Sequence, residues 1–171
     1  FIDVMAAMDF GIDKGWIDSE RMAVYGWSYG GMLTNHVITK TNRFAAAITG
    51  ASATLYVSNY GHDQYQRWWE EELGFPWLAE NKEAWDNISP FYALEQVTTP
   101  TLVVGGEEDW NVPIINSEQL YIVLKRRDIP ARLVVYPNEY HSLSVPSYEK
   151  HLYQQYFEWL DTYVTERSNE H

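Results

Sequence analysis

The sequence contains no cysteine, few basic residues and no long apolar run. Without cysteine, the chain forms no disulfide, thiol nucleophile or thiolate metal site. The 12 Lys and Arg residues against 24 Asp and Glu give a formal net charge of −12, which disfavours nucleic acid and anionic membrane surfaces as partners. A membrane-spanning helix needs roughly 18 consecutive apolar residues, and no stretch here reaches that length. We therefore expect neither a nucleic-acid nor a membrane partner.

The composition is that of a folded globular domain. Hydrophobic residues make up 46% of the 171 residues and aromatic residues 16%, enough to build one sizeable core. The sequence begins at Phe1, already in helical periodicity, so we expect it to be a piece of a longer protein. No signal-peptide pattern is visible, and a cytoplasmic location is the expectation.

Segments with helical and strand periodicity alternate along the chain, which predicts a mostly parallel sheet with helices on both faces. Residues 55–96 break this rhythm with many Tyr, Trp and acidic residues, and predict an insertion of short helices that contributes to a substrate pocket. The predicted helices are 2–13, 29–39, 114–127 and 147–164, and the predicted strands are 21–27, 44–49, 101–105 and 132–136.

The stretch from Gly26 to Gly30 reads Gly-Trp-Ser-Tyr-Gly, and it lies between a predicted strand and a predicted helix. Small flanking residues allow a sharp turn that leaves the oxygen of Ser28 clear of the sheet. A Gly-x-Ser-x-Gly turn in this context is the nucleophile elbow of α/β-hydrolases. The fold class predicted is therefore an α/β-hydrolase fold.

A serine nucleophile needs a base, and the base needs an acid that orients it. In this fold the partners follow the serine in the order acid, then histidine, on loops after strands. Asp109 follows the predicted strand 101–105, and His141 follows the predicted strand 132–136. We predict that Ser28 attacks an acyl carbon, His141 transfers the proton, and Asp109 holds the imidazole. The backbone N–H of Tyr29 is the predicted oxyanion-hole donor.

Other residues compete for these roles. Glu107 and Glu108 stand beside Asp109, but we interpret them as solvated charges. The acidic run 70–72 is interpreted as an exposed helix face, so no metal site and no cofactor is predicted. The histidines other than His141 lie on a helix face, in the insertion, on the last helix and at the terminus: His36, His62, His151 and His171.

Aromatic residues are concentrated in the insertion. Two readings stay open for each of them: the wall of an apolar pocket above Ser28, or plain packing of the insertion itself. The residues concerned are Tyr56, Tyr60, Trp68, Trp69 and Trp77.

These motifs together resemble the prolyl oligopeptidase family of serine peptidases. The elbow at 26–31, the acid loop at 105–113 and the tract 133–137 before His141 are similar to that family's patterns. The segment 69–77 is similar to its acylaminoacyl-peptidase branch. The resemblance implies a peptidase that cleaves short peptides or acylated amino termini. It also implies substrate contacts by Tyr29, by the region of Tyr56 and Tyr60, by Asn111, and by Val112.

The same resemblance implies an amino-terminal β-propeller and earlier hydrolase strands, which this sequence does not contain. The segment Glu139-Tyr140-His141-Ser142 also departs from the small residue usual before the family's histidine. The strand 21–27 is expected to have a bare edge that recruits a second copy or the missing amino-terminal part. The resemblance also implies a second oxyanion donor, a tyrosine in the absent part, and losing it is expected to cost on the order of 10²–10³ in rate.

Two further functions stay open at this point. A carboxylesterase uses the same Ser-Asp-His triad, because the fold does not fix the acyl group that is cleaved. A catalytically silent chain with an assembly role is the third hypothesis. The complete triad favours an enzyme, and turnover of peptide amides would separate a peptidase from an esterase.

Overall fold

The computed structural model describes residues 1–165. Short 3₁₀ segments lie at Tyr56–Ser58, Ala79–Asn81 and Pro90–Gln96, and Asp161–Thr165 forms a π-helical turn. The strands are β1 (Ala23–Trp27), β2 (Ala46–Gly50), β3 (Thr101–Gly106) and β4 (Ala131–Tyr136). The α-helices are α1 (Ile2–Asp13), α2 (Tyr29–Ile38), α3 (Gln66–Leu73), α4 (Lys82–Asn87), α5 (Ile115–Arg126) and α6 (Pro146–Leu160).

The strands form one parallel sheet in the order β1-β2-β3-β4, so each strand lies next to its neighbour in sequence. Parallel neighbours need a crossover, and helices supply most of each connection. The carboxyl ends of all four strands therefore meet at one edge of the sheet. The loops that follow β1, β3 and β4 carry Ser28, Asp109 and His141.

Both faces of the sheet are covered, which explains why β2 and β3 are buried along their whole length. Alternate residues point to opposite faces. Ala47 and Val103 pack towards Ile38 of α2 and Leu120 of α5. The other face of the sheet packs on α6 and contributes Ala46, Ile48, Leu102 and Val104, which contact Tyr156 and Trp159.

The connection between β2 and β3 is the predicted insertion, and the structure contains only short helices there. Aromatic residues give it a core of its own. Trp69 of α3 packs edge-on against Tyr56, with ring centroids 5.4 Å apart, and lies 6.0 Å from Trp85 of α4. This cluster rests on Ala53 and Val112 at the carboxyl edge of the sheet. The insertion is thereby held over the loops that carry the site.

The predicted strands and helices are confirmed, with shifts at their ends. β1 begins at Ala23 rather than at Arg21, and β2 covers Ala46–Gly50 rather than 44–49. The last α-helix ends at Leu160, and the π-helical turn continues it. The face of this helix and its π-helical turn that packs on the sheet contains Tyr148, Leu152, Tyr156, Trp159, Leu160 and Tyr163.

β1 forms an edge of the sheet, because β2 is its only strand partner among the described residues. The predicted bare edge is thus present. Tyr25 on this strand is 57% exposed, although its ring lies 5.2 Å from that of Tyr156. No helix within residues 1–165 has the length and apolar character to cross a membrane.

Candidate active site

Ser28 stands at the turn between β1 and α2, with φ 57° and ψ −122°. A residue other than glycine rarely adopts a positive φ, so the backbone at Ser28 is strained. The turn stays closed because Ser28 N–H donates to the carbonyl of Gly50 at 2.9 Å. A Cβ at Gly26 would overlap the backbone carbonyl of Gly30, which explains the glycine before the nucleophile.

The three predicted catalytic side chains form one continuous hydrogen-bonded chain. His141 Nε2 lies 2.7 Å from Ser28 Oγ, and His141 Nδ1 lies 2.8 Å from Asp109 Oδ2. A neutral imidazole that donates from Nδ1 to the carboxylate leaves Nε2 as the acceptor for the serine hydroxyl. This arrangement allows His141 to take a proton from Ser28.

The acid of this chain is held rigidly. The Asp109 side chain is 1% exposed, and its Oδ1 accepts the backbone N–H groups of Asn111 at 2.8 Å and Val112 at 2.9 Å. These bonds occupy one carboxylate oxygen and leave Oδ2 for the imidazole. Glu107 and Glu108 are exposed. Asp109 is therefore the acid that reaches His141.

The loop of His141 is positioned by two groups that sequence reasoning missed. Trp27 Nε1 donates to the His141 carbonyl at 2.9 Å. The Glu139 carboxylate is buried and accepts the N–H of Val145 at 3.2 Å and bonds from both the N–H and the hydroxyl of Ser144. The only sequence signal for this loop was that the segment 139–142 lacks the small residue usual before the family's histidine.

The acid loop and the histidine loop also contact each other through their backbones. Glu108 N–H donates to the Glu139 carbonyl at 2.9 Å. A Cβ at Gly106 would overlap the carbonyls of Glu139 and Tyr140. The close approach of these two loops sets the distance between Asp109 and His141.

Tyr29 is the first residue of α2. The N–H groups of a first helical turn have no partner within the helix, and they carry the positive end of its dipole. The Tyr29 N–H directly follows the nucleophile, which is the place the elbow motif requires for an oxyanion donor. The side chain of Tyr29 is 75% exposed.

A cavity of about 670 Å³ opens beside Ser28 and His141. Its lining contains many of the predicted pocket residues: Tyr29, Tyr56, Trp68, Trp69, Asn111 and Val112. Tyr56 is buried, and its hydroxyl donates to Met32 Sδ at 2.8 Å. Burial raises the pKa of Tyr56 to about 12, so the group stays neutral at physiological pH.

Two predicted pocket aromatics lie outside this lining. Tyr60 packs edge-on against Trp77 and Trp85, and its hydroxyl donates to Glu70 at 2.6 Å. Trp77 is 65% exposed and stacks on Phe75. Both rings pack within the insertion instead, as the alternative reading allowed. Helical spacing on α3 places Trp68 and Trp69, rather than these two, towards Ser28.

Several lining residues were not predicted for the pocket. His36 lies on α2, two turns beyond Ser28, and its Nε2 lies 3.2 Å from the carbonyl of Ile88. Burial and the neighbouring Lys40 cation lower the pKa of His36. Tyr65, Glu72 and Asn87 also line the cavity. The positions of Tyr65 and Glu72, spaced on one face of α3 with Trp68 and Trp69, are the signal that sequence reasoning could have used.

The acidic run 70–72 divides its side chains between three environments. Glu70 accepts the Tyr60 hydroxyl, and Glu71 pairs with Arg67 at 2.8 Å. Glu72 faces the cavity. His62 and His151 are exposed and stand apart from the cavity lining. His171 lies outside the described residues.

Residues 1–167 match the Prolyl oligopeptidase family. The chain belongs to this family. The resemblance of the elbow, the acid loop and the tract before His141 is thereby confirmed.

Members of the prolyl oligopeptidase family similar to this chain include two curated proteins. An uncharacterized peptidase, YuxL, of Bacillus subtilis is 38% identical over 144 residues, which cover 83% of this chain and 22% of that protein. The acylamino-acid-releasing enzyme of Rattus norvegicus is 30% identical over 169 residues, covering 95% and 23%. The chain thus spans less than a quarter of the length of these relatives.

Solved structures support the fold. An acylaminoacyl peptidase of Pyrococcus horikoshii superposes with a TM-score of 0.85 at 23% sequence identity. The match covers 95% of this chain and 27% of the Pyrococcus chain. A Mycobacterium tuberculosis puromycin-hydrolyzing peptidase matches 95% and 25% with a TM-score of 0.86 at 22% identity. The parallel sheet with its covering helices is an α/β-hydrolase fold, as predicted.

Proposed function

We propose that this chain is the catalytic part of a serine peptidase that acts through an acyl-enzyme on Ser28. The hydrogen-bonded chain from Ser28 Oγ through His141 to Asp109 carries the proposal. Membership of the prolyl oligopeptidase family supports it, and so do one relative named as a peptidase and another named as an acylamino-acid-releasing enzyme. No feature of the site favours an esterase over a peptidase.

The first half-reaction forms the acyl-enzyme. Ser28 Oγ attacks the substrate carbonyl carbon while its proton moves to His141 Nε2. The carbonyl oxygen becomes an oxyanion, which the Tyr29 N–H stabilises. When the C–N bond breaks, His141 returns that proton to the leaving amine. Asp109 keeps Nδ1 protonated and stabilises the imidazolium that forms transiently.

The second half-reaction releases the acyl group. Water takes the place of the amine and attacks the same carbon, while His141 accepts its proton. The ester bond to Ser28 then breaks, and His141 returns the proton to Ser28 Oγ. The acid product leaves, and the site is restored with no net change in protons on the protein.

The substrate is proposed to be a short peptide or an acylated amino terminus. The printed names of relatives as acylamino-acid-releasing enzymes support this class. Tyr56 and Val112 are proposed to contact the side chain of the residue before the cut, and Asn111 the substrate backbone. Tyr60 is proposed to support the pocket from behind, through Trp85.

Labelling with a fluorophosphonate probe tests the nucleophile. The probe reacts with an activated serine, so the protein is expected to be labelled and Ser28→Ala is expected to lose labelling. Ser19→Ala is the matched control, because Ser19 is exposed and absent from the cavity lining. Equal labelling of Ser28→Ala and the parent, or no labelling at all, would overturn the proposal. Peptide amides compared with short esters then separate peptidase from esterase activity.

The domain organisation and partners are further proposals. The chain is proposed to be one hydrolase unit with 55–96 as a pocket-forming insertion, and its β1 edge is proposed to pair with a second copy or with a further part of the polypeptide. Sedimentation of this chain is expected to show self-association, and a well-folded monomer would contradict pairing with a copy. A cytoplasmic location stays a prediction, which cell fractionation would test.

A further inference from the structure

The cavity beside Ser28 is bounded by two helices that both lead away from the triad. On α2, Met32 and His36 follow Ser28 at successive helical turns and line the same cavity. On α3, lining residues recur at the spacing of one helix face from Tyr65 to Glu72. The cavity therefore has a near end at the triad and a far end two turns away, about 11 Å along each helix.

Contacts between the walls fix the order of their residues. At the near end, the Tyr65 hydroxyl donates to Asn111 Oδ1 at 3.2 Å, next to the acid loop. In the middle, Tyr56 connects Met32 of α2 with Trp69 of α3. This middle section is apolar and aromatic, and it suits the stem of a side chain or a ring.

The far end differs from the middle because it carries polar side chains beside the apolar Leu33, Leu73 and Ile88. Trp85 Nε1 donates to the carbonyl of Gly74 at 3.1 Å, which holds α4 against the end of α3. Asn87 and Ile88 lie at the end of α4, and the Ile88 carbonyl lies 3.2 Å from His36 Nε2. His36, Asn87 and Glu72 thus lie around one end of the cavity.

These polar groups are mostly hydrogen-bond acceptors. The pKa of His36 is lowered, so its ring is neutral at physiological pH. Nε2–H donates to the Ile88 carbonyl, and Nδ1 is then an acceptor. Glu72 adds a negative charge and Asn87 adds an amide oxygen, and no Lys or Arg within residues 1–165 lines the cavity.

We propose that His36, Glu72 and Asn87 form a distal recognition site that selects the residue before the cut by the tip of its side chain. The site takes long side chains that have an apolar stem and a donating tip, such as lysine, arginine or tyrosine. Short side chains end within the aromatic section, so they do not reach the distal site and gain no affinity from its polar groups. This inference rests on the proposed function, because Ser28 must hold the acyl carbon at the near end.

Diphenyl aminoalkylphosphonates with different side chains test the selection directly. Ser28 Oγ attacks phosphorus, phenol leaves, and the second-order rate constant reports how the side chain fits. The lysine analogue is compared with the norleucine analogue, which has the same stem without the ammonium. We expect the lysine analogue to react roughly two- to fivefold faster, as for a partly exposed ion pair. The tyrosine analogue is likewise expected to react faster than the phenylalanine analogue.

Substitutions assign the preference to the far end. Glu72→Gln is expected to bring the lysine-to-norleucine ratio close to one. Glu71→Gln is the matched control, because Glu71 neighbours Glu72 but pairs with Arg67 outside the cavity. His36→Leu is expected to lower the tyrosine-to-phenylalanine ratio.

Different results would overturn the nucleophilic role of Ser28 and the distal recognition site. If a fluorophosphonate without a side chain does not label the protein, the proposed function fails. If it labels the protein but the paired analogues react at equal rates, the distal site is wrong. A ratio that falls equally in Glu71→Gln and Glu72→Gln would also overturn it, since general charge would then explain the preference.

Discussion

At the scale of single residues, the site depends on groups that hold His141 from several sides. Asp109 binds its Nδ1, and Trp27 binds its backbone carbonyl. Each hydrogen bond fixes a different property of His141. The carboxylate sets the tautomer and the ring plane, whereas the indole sets the position of the backbone. Their substitutions are therefore expected to have different kinetic effects.

Replacing the acid tests the tautomer. Asp109→Asn keeps the shape of the side chain but no longer favours a proton on Nδ1, so Nε2 loses its role as acceptor. We expect kcat to fall about 10⁴-fold with a small change in KM, as in other serine triads. The measurement is steady-state turnover of a peptide amide. Glu108→Gln, an exposed neighbour, serves as the control and is expected to keep full activity.

Replacing the indole tests the backbone position. Trp27→Phe removes the donor to the His141 carbonyl and leaves a ring to pack beside Gly50. We expect kcat to fall roughly tenfold, the equivalent of one hydrogen bond of about 1.4 kcal/mol, with KM nearly unchanged. A parallel rise in KM would indicate that the pocket has moved instead. Unchanged kinetics would show that the indole bond has no part in positioning His141.

At the scale of elements, the elbow depends on how closely α2 starts behind β1. Gly26→Ala would push a methyl group into the carbonyl of Gly30, whereas a Cβ at Gly30 meets nothing within 4 Å. We expect Gly26→Ala to lower the melting temperature and fluorophosphonate labelling. Gly30→Ala is expected to keep the fold and to gain up to about 1 kcal/mol of helix propensity. Thermal unfolding and labelling of both variants check this, and equal effects would contradict it.

Sequence periodicity predicted the strands, the helices and the order of the three catalytic loops. It succeeded because β2 and β3 are buried on both faces, and because the elbow needs glycine at fixed spacing. The polar far end of the cavity was not predictable in the same way. His36 and Asn87 are 51 residues apart and line the same cavity only because tertiary packing brings the Ile88 carbonyl, after α4, to His36. The packing of Tyr60 on Trp77 and Trp85 was not predictable for the same reason, and its contact with substrate stays a prediction.

At the scale of the whole molecule, stability depends on keeping buried phenols neutral, and Tyr56 and Tyr136 are two of them. Burial raises the pKa of Tyr56 and of Tyr136 to about 12, above the value near 10 of an unfolded chain. The folded state therefore binds these protons more tightly. Its stabilisation is complete below about pH 10 and is lost as the pH rises towards 12.

Urea unfolding between pH 9 and pH 12 measures this effect. We expect the free energy of unfolding to decline over that interval in the parent. The decline should be less steep in Tyr136→Phe, which removes one of the titrating groups. Tyr153→Phe is the control, because Tyr153 is 59% exposed. An equal decline in the parent and in Tyr136→Phe would contradict the prediction.

The strained turn at Ser28 lowers the stability of the fold at the position where catalysis requires a serine. Glycine adopts this conformation without strain, so Ser28→Gly is expected to raise the free energy of unfolding by about 1 kcal/mol, measured by chemical denaturation. The same change removes the nucleophile. Ser28→Ala gains no such relief, because alanine keeps the Cβ, and equal stability of the two variants would argue against strain. Stability alone would therefore favour glycine at this position, whereas turnover requires serine.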